Sequence, residues 1–324
     1  MSIRVAIVGY GNLGRGVEMA LKHNPDMELV GIYSRRDPAG VATLGGKAFH
    51  MDSLLDHKDS IDVAILCGGS KEDLPTQTPA LAKHFNTVDS FDTHAKILEY
   101  EASITPSALE GKKVALISMG WDPGMFSLHR LYSEAVLPNG ENYTFWGKGL
   151  SQGHSDAIRR VEGVAAGVQY TIPSSEAMQA VRSGSNPDLS TKDKHKRECF
   201  VVLKSGADAT KVEQAIKTMP DYFEPYDTTV HFITKEELDL NHSKMPHGGF
   251  VIRSGATSSE HKDVLEYSIA LDSNAEFTAS VLVAYARAAY RLHKMGECGV
   301  KTAFDIAPAL LSIKSREEII KEML

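Results

Sequence analysis

The chain has 324 residues, of which 42% are hydrophobic and 24% charged, and its formal net charge is −7 at pH 7. These proportions are near those of an average globular protein, so they exclude a disordered chain, a collagen-like fibre and a polytopic membrane protein. The negative charge provides no general basic field for nucleic acid or anionic lipid. Three widely spaced cysteines without a CxxC pair are not the pattern of a disulfide scaffold or a thiolate zinc site, and they favour a reducing setting.

The N-terminal segment reads as the start of a fold and not as a targeting signal. Its apolar run at residues 5–8 is too short for a secretory h-region, and it leads directly into glycines. No stretch of the sequence approaches the roughly 18 consecutive apolar residues of a membrane span. We therefore expect a cytoplasmic protein with neither membrane nor nucleic-acid partners.

The first third of the chain alternates apolar strands with helix-length segments. Short runs that are typical of buried parallel strands lie at residues 5–8, 28–34, 63–66, 86–88 and 114–117. Helix-length stretches between several of these strands lie at residues 13–23, 76–85 and 95–109. Repetition of strand, crossover helix and parallel strand predicts an α/β fold, a Rossmann-type doubly wound parallel sheet.

The pattern changes near Gly120. Longer predicted strands, richer in β-branched and aromatic residues, lie at residues 143–146, 199–203, 228–233, 250–253 and 264–270. Predicted helices lie at residues 174–182 and 210–218, and a long amphipathic helix lies at about residues 275–295. We predict a first domain of residues 1–120 completed by the C-terminal segment 274–324. Residues 121–273 form a predicted α+β lobe with a mixed, mainly antiparallel sheet.

A Gly-x-Gly-x-x-Gly motif follows the first predicted strand and begins the first predicted helix. It comprises Gly9, Tyr10, Gly11, Asn12, Leu13 and Gly14. The first glycine permits a tight turn, the second lets a pyrophosphate approach the backbone, and the third allows helix and strand to pack closely. Unpaired N–H groups at the helix N-terminus then bind the phosphates. A glycine-rich turn alone is weak evidence, but this strand–turn–helix context predicts a dinucleotide site in residues 1–120.

The end of the second predicted strand indicates which dinucleotide binds. An NAD site usually carries an acid there, which bonds the ribose 2′-hydroxyl, whereas arginine suits a 2′-phosphate. Here the strand ends in Ser34, Arg35 and Arg36, and two guanidinium groups can bind a phosphate through paired hydrogen bonds. The alternative is a pair of solvated loop arginines. We predict NADP(H) as the cofactor. The turn predicted to lie close to its ribose or nicotinamide comprises Gly68, Gly69 and Ser70.

Two acids follow the ends of predicted parallel strands. Asp92 lies after the strand at 86–88, and Asp122 lies after the strand at 114–117. Acids beside a dinucleotide site suggest recognition of a cationic amine. Each acid also has a structural alternative, because Asp92 fits a helix cap and Asp122 followed by Pro123 fits an N-cap and first helical residue. Spacing alone leaves both alternatives open.

Several motifs resemble those of the meso-diaminopimelate D-dehydrogenase family, essentially from end to end of the chain. They are the glycine motif, Ser34-Arg35-Arg36, Asp89-Ser90-Phe91-Asp92, Gly120-Trp121-Asp122-Pro123-Gly124-Met125-Phe126, Thr144-Phe145-Trp146-Gly147, Leu150-Ser151-Gln152-Gly153-His154-Ser155-Asp156 and Met245-Pro246-His247-Gly248-Gly249. The last two are far more specific than the glycine motif. The family's NADP-dependent bacterial homodimers oxidatively deaminate the D-centre of meso-2,6-diaminopimelate. The products are L-2-amino-6-oxopimelate and ammonia, and the reverse reaction supplies lysine and peptidoglycan precursor. The resemblance implies the same activity here, with residues 121–273 as the substrate-binding and dimerisation domain.

Carried over by motif, the resemblance implies a clamp with two unlike ends, as a choice between the mirror-image halves of a meso compound requires. At the reacting D-centre, Asp92 and Asp122 would hold the amine, and one of them, directly or through water, would accept its proton. The residues that would frame the carboxylate and α-hydrogen of this centre are Trp121, Trp146, Gln152 and Gly153. The residues that would bind the second carboxylate and amine are Thr171, Arg197, His247 and Asn274.

Three of the distal residues also have a structural interpretation. His247 lies in a turn-like Pro-His-Gly-Gly run, Thr171 fits a strand, and Arg197 lies in a basic run typical of a solvated face. His154 and Asp156 suggest a metal pair, but no third ligand has a recognisable spacing, so we predict no metal site. Three other functions stay open. They are a broad-specificity NADP-dependent D-amino-acid dehydrogenase on the same scaffold, a related two-lobed reductase and a non-catalytic NADP(H) sensor.

Overall fold

The computed structural model describes residues 2–220 and 222–324, with the side chain of Gln152 left out of the description. The chain divides into two compact units. The first unit consists of Met1–Leu128 and Ala275–Leu324, and the second unit consists of His129–Asn274. The first unit contains one sheet and the second contains two, and each unit has its own hydrophobic clusters.

The strands and helices follow one another along the whole chain. The strands are β1 Ile3–Val8, β2 Met27–Ser34, β3 Ala48–His50, β4 Val63–Leu66, β5 Asn86–Asp89, β6 Val114–Leu116, β7 Gly140–Trp146, β8 Gly149–Leu150, β9 Val164–Pro173, β10 His195–Leu203, β11 Thr228–Phe232, β12 His247–Ala256, β13 Lys262–Leu271 and β14 Gly299–Lys301. The helices are α1 Asn12–Leu21, α2 Leu74–Leu81, α3 Ile97–Glu110, α4 Met125–Val136, α5 Gln152–Arg159, α6 Ser175–Arg182, α7 Thr191–Lys194, α8 Ala209–Lys217, α9 Lys235–Asn241, α10 Asn274–Lys294 and α11 Arg316–Met323. Among the described residues, no helix has both the length and the apolar composition needed to cross a bilayer.

The first unit contains a seven-stranded parallel sheet in the order β14-β6-β5-β4-β1-β2-β3. The predicted doubly wound sheet is therefore confirmed. Residues of α1 and α10 pack in a cluster on one face, and residues of α2 and α3 pack in a cluster on the other. The strand order reverses beside β1, which lies between β2 and β4. A crevice for a ligand opens at such a reversal, at the carboxyl ends of the strands.

The C-terminal segment belongs to the core of the first unit. β14 pairs with β6 in parallel and extends the sheet by one strand. On α10, Arg287 is 2% exposed and donates hydrogen bonds to Asp26 (2.6 and 2.8 Å) and to Asn24 (2.6 Å). Hydrogen bonding from this guanidinium, against the opposing effect of burial, lowers the pKa of Asp26. A partly buried ion pair thus joins the C-terminal helix α10 to the N-terminal part of the chain, and it stabilises the unit because its hydrogen bonds are satisfied.

The second unit contains two sheets, where the sequence suggested one. A mixed four-stranded sheet has the order β11-β10-β9-β8, with only the β10–β11 pair parallel. A three-stranded antiparallel sheet has the order β13-β12-β7. The predicted fold class, mixed and mainly antiparallel with helices, is confirmed. The sequence prediction missed β9, because its first half, Val-Ala-Ala-Gly, has none of the β-branched or aromatic density that marks the other strands.

Candidate functional site

The glycine turn between β1 and α1 has the geometry that a dinucleotide requires. Gly9 has a φ of +93°, a left-handed conformation that a side chain would oppose. A Cβ on Gly14 would lie 2.2 Å from the carbonyl oxygen of Gly9, so only glycine allows helix and strand to pack this closely. A Cβ on Gly11, the N-cap residue of α1, would meet nothing within 4 Å. The backbone N–H groups at this helix end are open to an approaching phosphate.

The side chain of Tyr10, in the same motif, points into the protein and not toward a ligand. Its hydroxyl hydrogen-bonds the buried Glu18, and burial together with this carboxylate raises the pKa of Tyr10 to about 12. The carboxylate of Glu18 also accepts hydrogen bonds from the backbone N–H groups of Leu44 (3.0 Å) and Gly46 (2.7 Å). Tyr10 and Glu18 therefore fix the loop that precedes β3. Nothing in the local sequence around Glu18 predicts this role. Asn12 and Leu13 form the first turn of α1.

The carboxyl end of β2 places two arginines beside the glycine turn. Ser34 is buried, and its hydroxyl accepts a 3.1 Å hydrogen bond from the backbone N–H of Arg36. The guanidinium of Arg36 donates to the carbonyl oxygen of Tyr10. Arg35 is 72% exposed and pairs with Asp73 at 2.8 Å. The two guanidinium groups fit the 2′-phosphate of NADP(H), and the carboxylate of Asp73 is already paired with one of them.

The turn after β4 brings the next part of the predicted cofactor site close to Asp92. The backbone N–H of Gly69 donates to Asp73 (2.9 Å), which joins this turn to Arg35. The hydroxyl of Ser70 accepts a 3.1 Å hydrogen bond from the backbone N–H of Asp92. Gly68 precedes this pair, and a Cβ there would lie 2.6 Å from that of Asp73. The structure thus brings the predicted cofactor turn and one predicted catalytic acid into direct contact.

Asp122 lies in a closed five-residue loop and is not a helix cap. The loop runs from Gly120 to Gly124, which are bridged to each other, and a Cβ on Gly124 would lie 2.1 Å from the carbonyl oxygen of Gly120. Helix α4 begins only at Met125, so the N-cap alternative for Asp122 and Pro123 is wrong. Trp121 is 7% exposed and Asp122 is half-buried. Asp92 is exposed, and its side chain caps neither α3 nor the short 3-10 turn at His94–Lys96 that precedes it.

In the second unit, Thr171 and Arg197 face each other on paired strands. They are register partners in β9 and β10, and Nη1 of Arg197 donates a 2.6 Å hydrogen bond to Oγ1 of Thr171. The guanidinium lies 3.9 Å from the centre of the Tyr226 ring. Arg197 is only 7% exposed, and burial lowers its pKa. Its Nε is buried and has no partner among the described residues. Arg197 itself therefore does not lie on a solvated face, and that interpretation of it is wrong, although Lys196 in the same run is exposed.

His247 lies next to this pair through the short strand β8. Gly149 of β8 pairs with Thr171, and a Cβ on Gly149 would lie 2.6 Å from the ring of His247. Nδ1 of His247 accepts a 2.8 Å hydrogen bond from the backbone N–H of Gly248. Nδ1 also lies 3.2 Å from the carbonyl oxygen of Gly248; in the tautomer in which Nδ1 accepts from the N–H, the ring proton lies on Nε2 and can be donated there. The backbone N–H of Asn274 donates a 3.1 Å hydrogen bond to the carbonyl oxygen of Met245, which lies two residues before His247.

Trp146, at the end of β7, is held by a histidine that the sequence prediction missed. Nε2 of His195 accepts a 2.8 Å hydrogen bond from the backbone N–H of Trp146, and the two rings stack at 5.3 Å. His195 is 1% exposed; burial, with a contribution from the charge of Arg197, lowers its pKa to about 4. The imidazole is therefore neutral and accepts. In the sequence, the only indication of this role is that His195 and Arg197 are two residues apart on β10, so their side chains point to the same face of the strand.

The Ser-Gln-Gly-His motif forms the start of α5. Gly153 is exposed, and a Cβ there would meet nothing within 4 Å; the side chain of Gln152 lies outside the described part. Nδ1 of His154 hydrogen-bonds the hydroxyl of Ser151 at 2.9 Å. Asp156 pairs with Arg159, one turn along the same helix. Within residues 2–220 and 222–324, no three His, Cys, Asp or Glu side chains are grouped so that they could hold a metal ion.

The chain matches known proteins both in sequence and in structure. Residues 120–273 match the diaminopimelic acid dehydrogenase C-terminal domain. A meso-diaminopimelate D-dehydrogenase of Ureibacillus thermosphaericus is 62% identical over 323 residues, which is 99% of each chain. A multiply substituted meso-diaminopimelate dehydrogenase of Clostridium tetani, solved with DAP, has a TM-score of 0.95 and 53% identity, with full coverage of both chains. An engineered D-amino acid dehydrogenase bound to NADP+ has a TM-score of 0.87 and 44% identity, also with full coverage. With identity this high over its whole length, the chain belongs to the meso-diaminopimelate D-dehydrogenase family.

Proposed function

We propose that this protein catalyses the reversible, NADP-dependent oxidative deamination of the D-centre of meso-2,6-diaminopimelate. The products are L-2-amino-6-oxopimelate and ammonia. When bound, NADP+ accepts a hydride from the D-centre carbon, and hydrolysis of the resulting imine releases the ammonia. The proposal extends to this chain what its relatives' names state, and its physical support comes from the two groups of residues described above.

The observation that carries the proposal is the buried guanidinium of Arg197. A buried cation is costly unless other groups compensate its charge. Arg197 has a hydroxyl and an aromatic ring beside it, but its Nε has no partner among the described residues. A substrate carboxylate supplies the missing anion, and the planar guanidinium binds it through two parallel hydrogen bonds. The substrate's distal carboxylate therefore fits Arg197, Thr171 and the Nε2–H of His247.

The groups assigned to the distal L-centre have the donors and acceptors that a zwitterionic amino acid needs. We assign its carboxylate to Arg197, Thr171 and His247, and its amine to the side-chain oxygen of Asn274. Asn274 is half-buried, at the N-terminus of α10. This end of the substrate does not react, so its role is to select a dicarboxylate and to fix which centre reacts.

At the D-centre, we assign the amine to the carboxylates of Asp92 and Asp122. The ammonium group must lose a proton before its lone pair can assist departure of the hydride, and a carboxylate is a suitable acceptor, directly or through one water. We assign Trp121 and Trp146 to the framing of the carboxylate and α-hydrogen of this centre. The segment of Gln152 and Gly153 presents helix N–H groups of α5, which suit the D-centre carboxylate.

For the cofactor, we assign the pyrophosphate to the glycine turn and the 2′-phosphate to the end of β2. Gly9, Gly11 and Gly14 have the turn, open approach and close packing that the motif requires. Ser34, Arg35 and Arg36 supply the hydroxyl and guanidinium donors. The turn assigned to the nicotinamide ribose comprises Gly68, Gly69 and Ser70.

The direct test is NADP+ reduction with the three stereoisomers of diaminopimelate. We expect rapid reduction with the meso isomer and none with the LL isomer, which has no D-centre. The DD isomer should react poorly, because its second D-centre places the distal amine where Asn274 does not reach it. Comparable rates with D-lysine and the meso isomer would favour a broad-specificity D-amino-acid dehydrogenase. Absence of ammonia-dependent NADPH oxidation would contradict both.

Substitution of Asp122 tests the assignment of the acid. Asp122→Asn keeps the size of the side chain and removes its ability to accept a proton. Loss of a general base typically costs about 100-fold or more in kcat. The matched control is Asp52→Asn, because Asp52 is exposed. If Asp122→Asn retained near-normal rates at every pH, the role of Asp122 as proton acceptor would have to be abandoned.

We also propose that the chain forms a homodimer through its second unit. β13 is an edge strand of the three-stranded sheet, and Val264 and Leu265 on it are 38% and 37% exposed. On α4, Leu131 and Tyr132 are 50% and 65% exposed. Exposed apolar groups of this size favour burial against another protein surface. Sedimentation should give twice the chain mass of 35.3 kDa, and Leu131→Glu together with Leu265→Glu should shift it to the monomer mass.

A further inference from the structure

Asp89, the last residue of β5, has a fully buried carboxylate that accepts four hydrogen bonds. Its Oδ1 accepts from the backbone N–H groups of Phe91 (3.0 Å) and Ser118 (3.1 Å). Its Oδ2 accepts from the hydroxyls of Thr78 (3.1 Å) and Tyr100 (2.6 Å). One side chain thus joins the segments that follow β5 and β6 to helices α2 and α3.

The two segments held by Oδ1 are the ones that carry the proposed acids. Phe91 immediately precedes Asp92, and Ser118 lies four residues before Asp122. The backbone carbonyl of Asp89 also accepts a 2.8 Å hydrogen bond from the N–H of Met119. Three backbone N–H groups on these two segments therefore depend on Asp89. Because the segments leave neighbouring strands β5 and β6, a single group between them sets their relative position.

The backbone conformation of Ser118 explains why the hydrogen bonds to Asp89 are needed. Its φ is +58°, in the left-handed region that non-glycine residues rarely occupy, so the turn is strained. Its hydroxyl oxygen is buried and has no hydrogen-bond partner among the described residues. Such a conformation persists only where surrounding contacts impose it. The contacts that do so here are the N–H groups of Ser118 and Met119 on Asp89.

The hydrogen bonds to Oδ2 connect the carboxylate of Asp89 to helices α2 and α3 of the first unit. Thr78 lies on α2 and is fully buried, and the ring of Tyr100 on α3 stacks on Phe91 at 4.0 Å. Burial raises the pKa of Asp89, against the effect of its four donors. A polar network in which every acceptor is used rigidifies its surroundings, whereas losing one member leaves buried groups unpaired. A buried carboxylate at this position is expensive, and ordinary strand packing does not require it.

We propose that Asp89 is a positioning residue, which holds the backbone of Asp92 and of the Gly120–Gly124 loop in the geometry needed for proton transfer. It does not touch the substrate or the cofactor. The proposal rests on the proposed function, since Asp89 acts through the two acids assigned above. The sequence alone does not reveal this role for Asp89, because its hydrogen-bond partners lie 2, 11 and 29 residues away.

Three variants separate positioning from general stabilisation. Asp89→Asn keeps one oxygen for both N–H groups, and its amide can face the hydroxyls of Thr78 and Tyr100, so we expect a kcat within about 3-fold of wild type. Asp89→Ala leaves two buried N–H groups unpaired, each a penalty equivalent to about 5- to 150-fold in an equilibrium constant. We expect its kcat with meso-diaminopimelate to fall at least about 10-fold, with the KM for NADP+ within about 2-fold. Thr78→Val is the matched control: it removes a donor from Oδ2 but leaves both segments tethered, and its kcat should stay within about 2-fold.

Amide hydrogen exchange supplies a readout that does not depend on turnover. We expect faster exchange over residues 90–92 and 118–122 in Asp89→Ala, by about 10-fold or more, and unchanged exchange there in Asp89→Asn and Thr78→Val.

Should the alanine variant not fold, Asp89→Ser keeps one polar atom in the site and takes its place, with the same expectations for kcat and exchange. Unchanged exchange and a kcat within 2-fold in the folded variant would overturn the proposal. So would loss of NADP+ binding in parallel with kcat. If wild type fails to oxidise meso-diaminopimelate, the proposed function fails, while the exchange experiment still decides whether Asp89 tethers the two segments.

Discussion

Arg197 donates a 2.6 Å hydrogen bond from Nη1 to Oγ1 of Thr171, across two antiparallel strands in which they are register partners. The threonine holds one edge of the guanidinium, and Tyr226 covers its face at 3.9 Å. A side chain restrained in this way loses little further freedom when it binds a planar anion, so binding is stronger than for a mobile arginine. The Nε of Arg197 is buried and has no hydrogen-bond partner among the described residues, so the hydrogen bonding of this guanidinium is incomplete.

The first prediction follows from this arrangement. Arg197→Met keeps most of the apolar part of the side chain and removes the guanidinium, so the distal carboxylate loses hydrogen bonds to a charged group. Each such loss costs about 1.5–3 kcal/mol, or roughly 10- to 150-fold in kcat/KM for diaminopimelate. Simple D-amino acids should react better than before, because the pocket no longer holds an unpaired charge when they bind.

The control for this change is Arg160→Met, at the exposed C-cap of α5. Its kinetics with both substrate classes should match those of wild type. An unchanged preference for diaminopimelate over D-lysine in Arg197→Met would remove Arg197 from the distal group. A parallel loss with both substrates would instead indicate a general defect of the second unit.

The second prediction concerns Gly149, which no catalytic motif singles out. A Cβ on this residue would lie 2.6–2.9 Å from three atoms of His247, so Gly149→Ala must displace the imidazole. We expect a rise of about 10-fold in KM for diaminopimelate, equivalent to one weakened hydrogen bond, with little change in the KM for NADP+. The matched control is Gly40→Ala in the first unit, where a Cβ meets nothing within 4 Å and φ is not left-handed. A Gly149→Ala enzyme with wild-type KM would show that the position of His247 does not matter for binding.

The sequence predicts those parts of the protein whose signals are local. The run of β1, the glycines and α1 are contiguous, so their spacing alone indicates a dinucleotide turn, which the structure then places beside Arg36. Asp89 and His195 were missed because their roles depend on partners remote in sequence or on a neighbouring strand. Arg197 was assigned by resemblance, since a basic run does not reveal whether a guanidinium is buried. Strand pairing decides that, and β9, which supplies Thr171, has no strong strand signal.

The third prediction tests the choice of cofactor. Arg35→Ala and Arg36→Ala each remove a guanidinium from the end of β2, so the KM for NADP+ should rise by about 10-fold or more, whereas activity with NAD+ should change little. Because Arg35 is 72% exposed, its contribution should weaken as ionic strength rises. The control is Arg15→Ala, an exposed arginine in α1 outside the β2 group, which should leave the ratio of NADP+ to NAD+ activity unchanged. Equal losses with both dinucleotides in Arg35→Ala and Arg36→Ala would contradict recognition of the 2′-phosphate.

The last prediction concerns the pH dependence of stability. Burial lowers the pKa of His195 to about 4, from an ordinary value near 6.5. Between these two values the unfolded chain binds a proton that the folded protein does not, so stability falls as the pH falls below about 6.5. His195 is 1% exposed, and the linkage amounts to about 2 kcal/mol of unfolding free energy between pH 7 and pH 5.

Urea unfolding at these two pH values should therefore show a smaller drop in the free energy of unfolding in His195→Gln than in wild type, by about that amount. His261→Gln, at an exposed position, should keep the full drop. Equal pH dependence in His195→Gln and wild type would mean that His195 is not the neutral acceptor that holds Trp146.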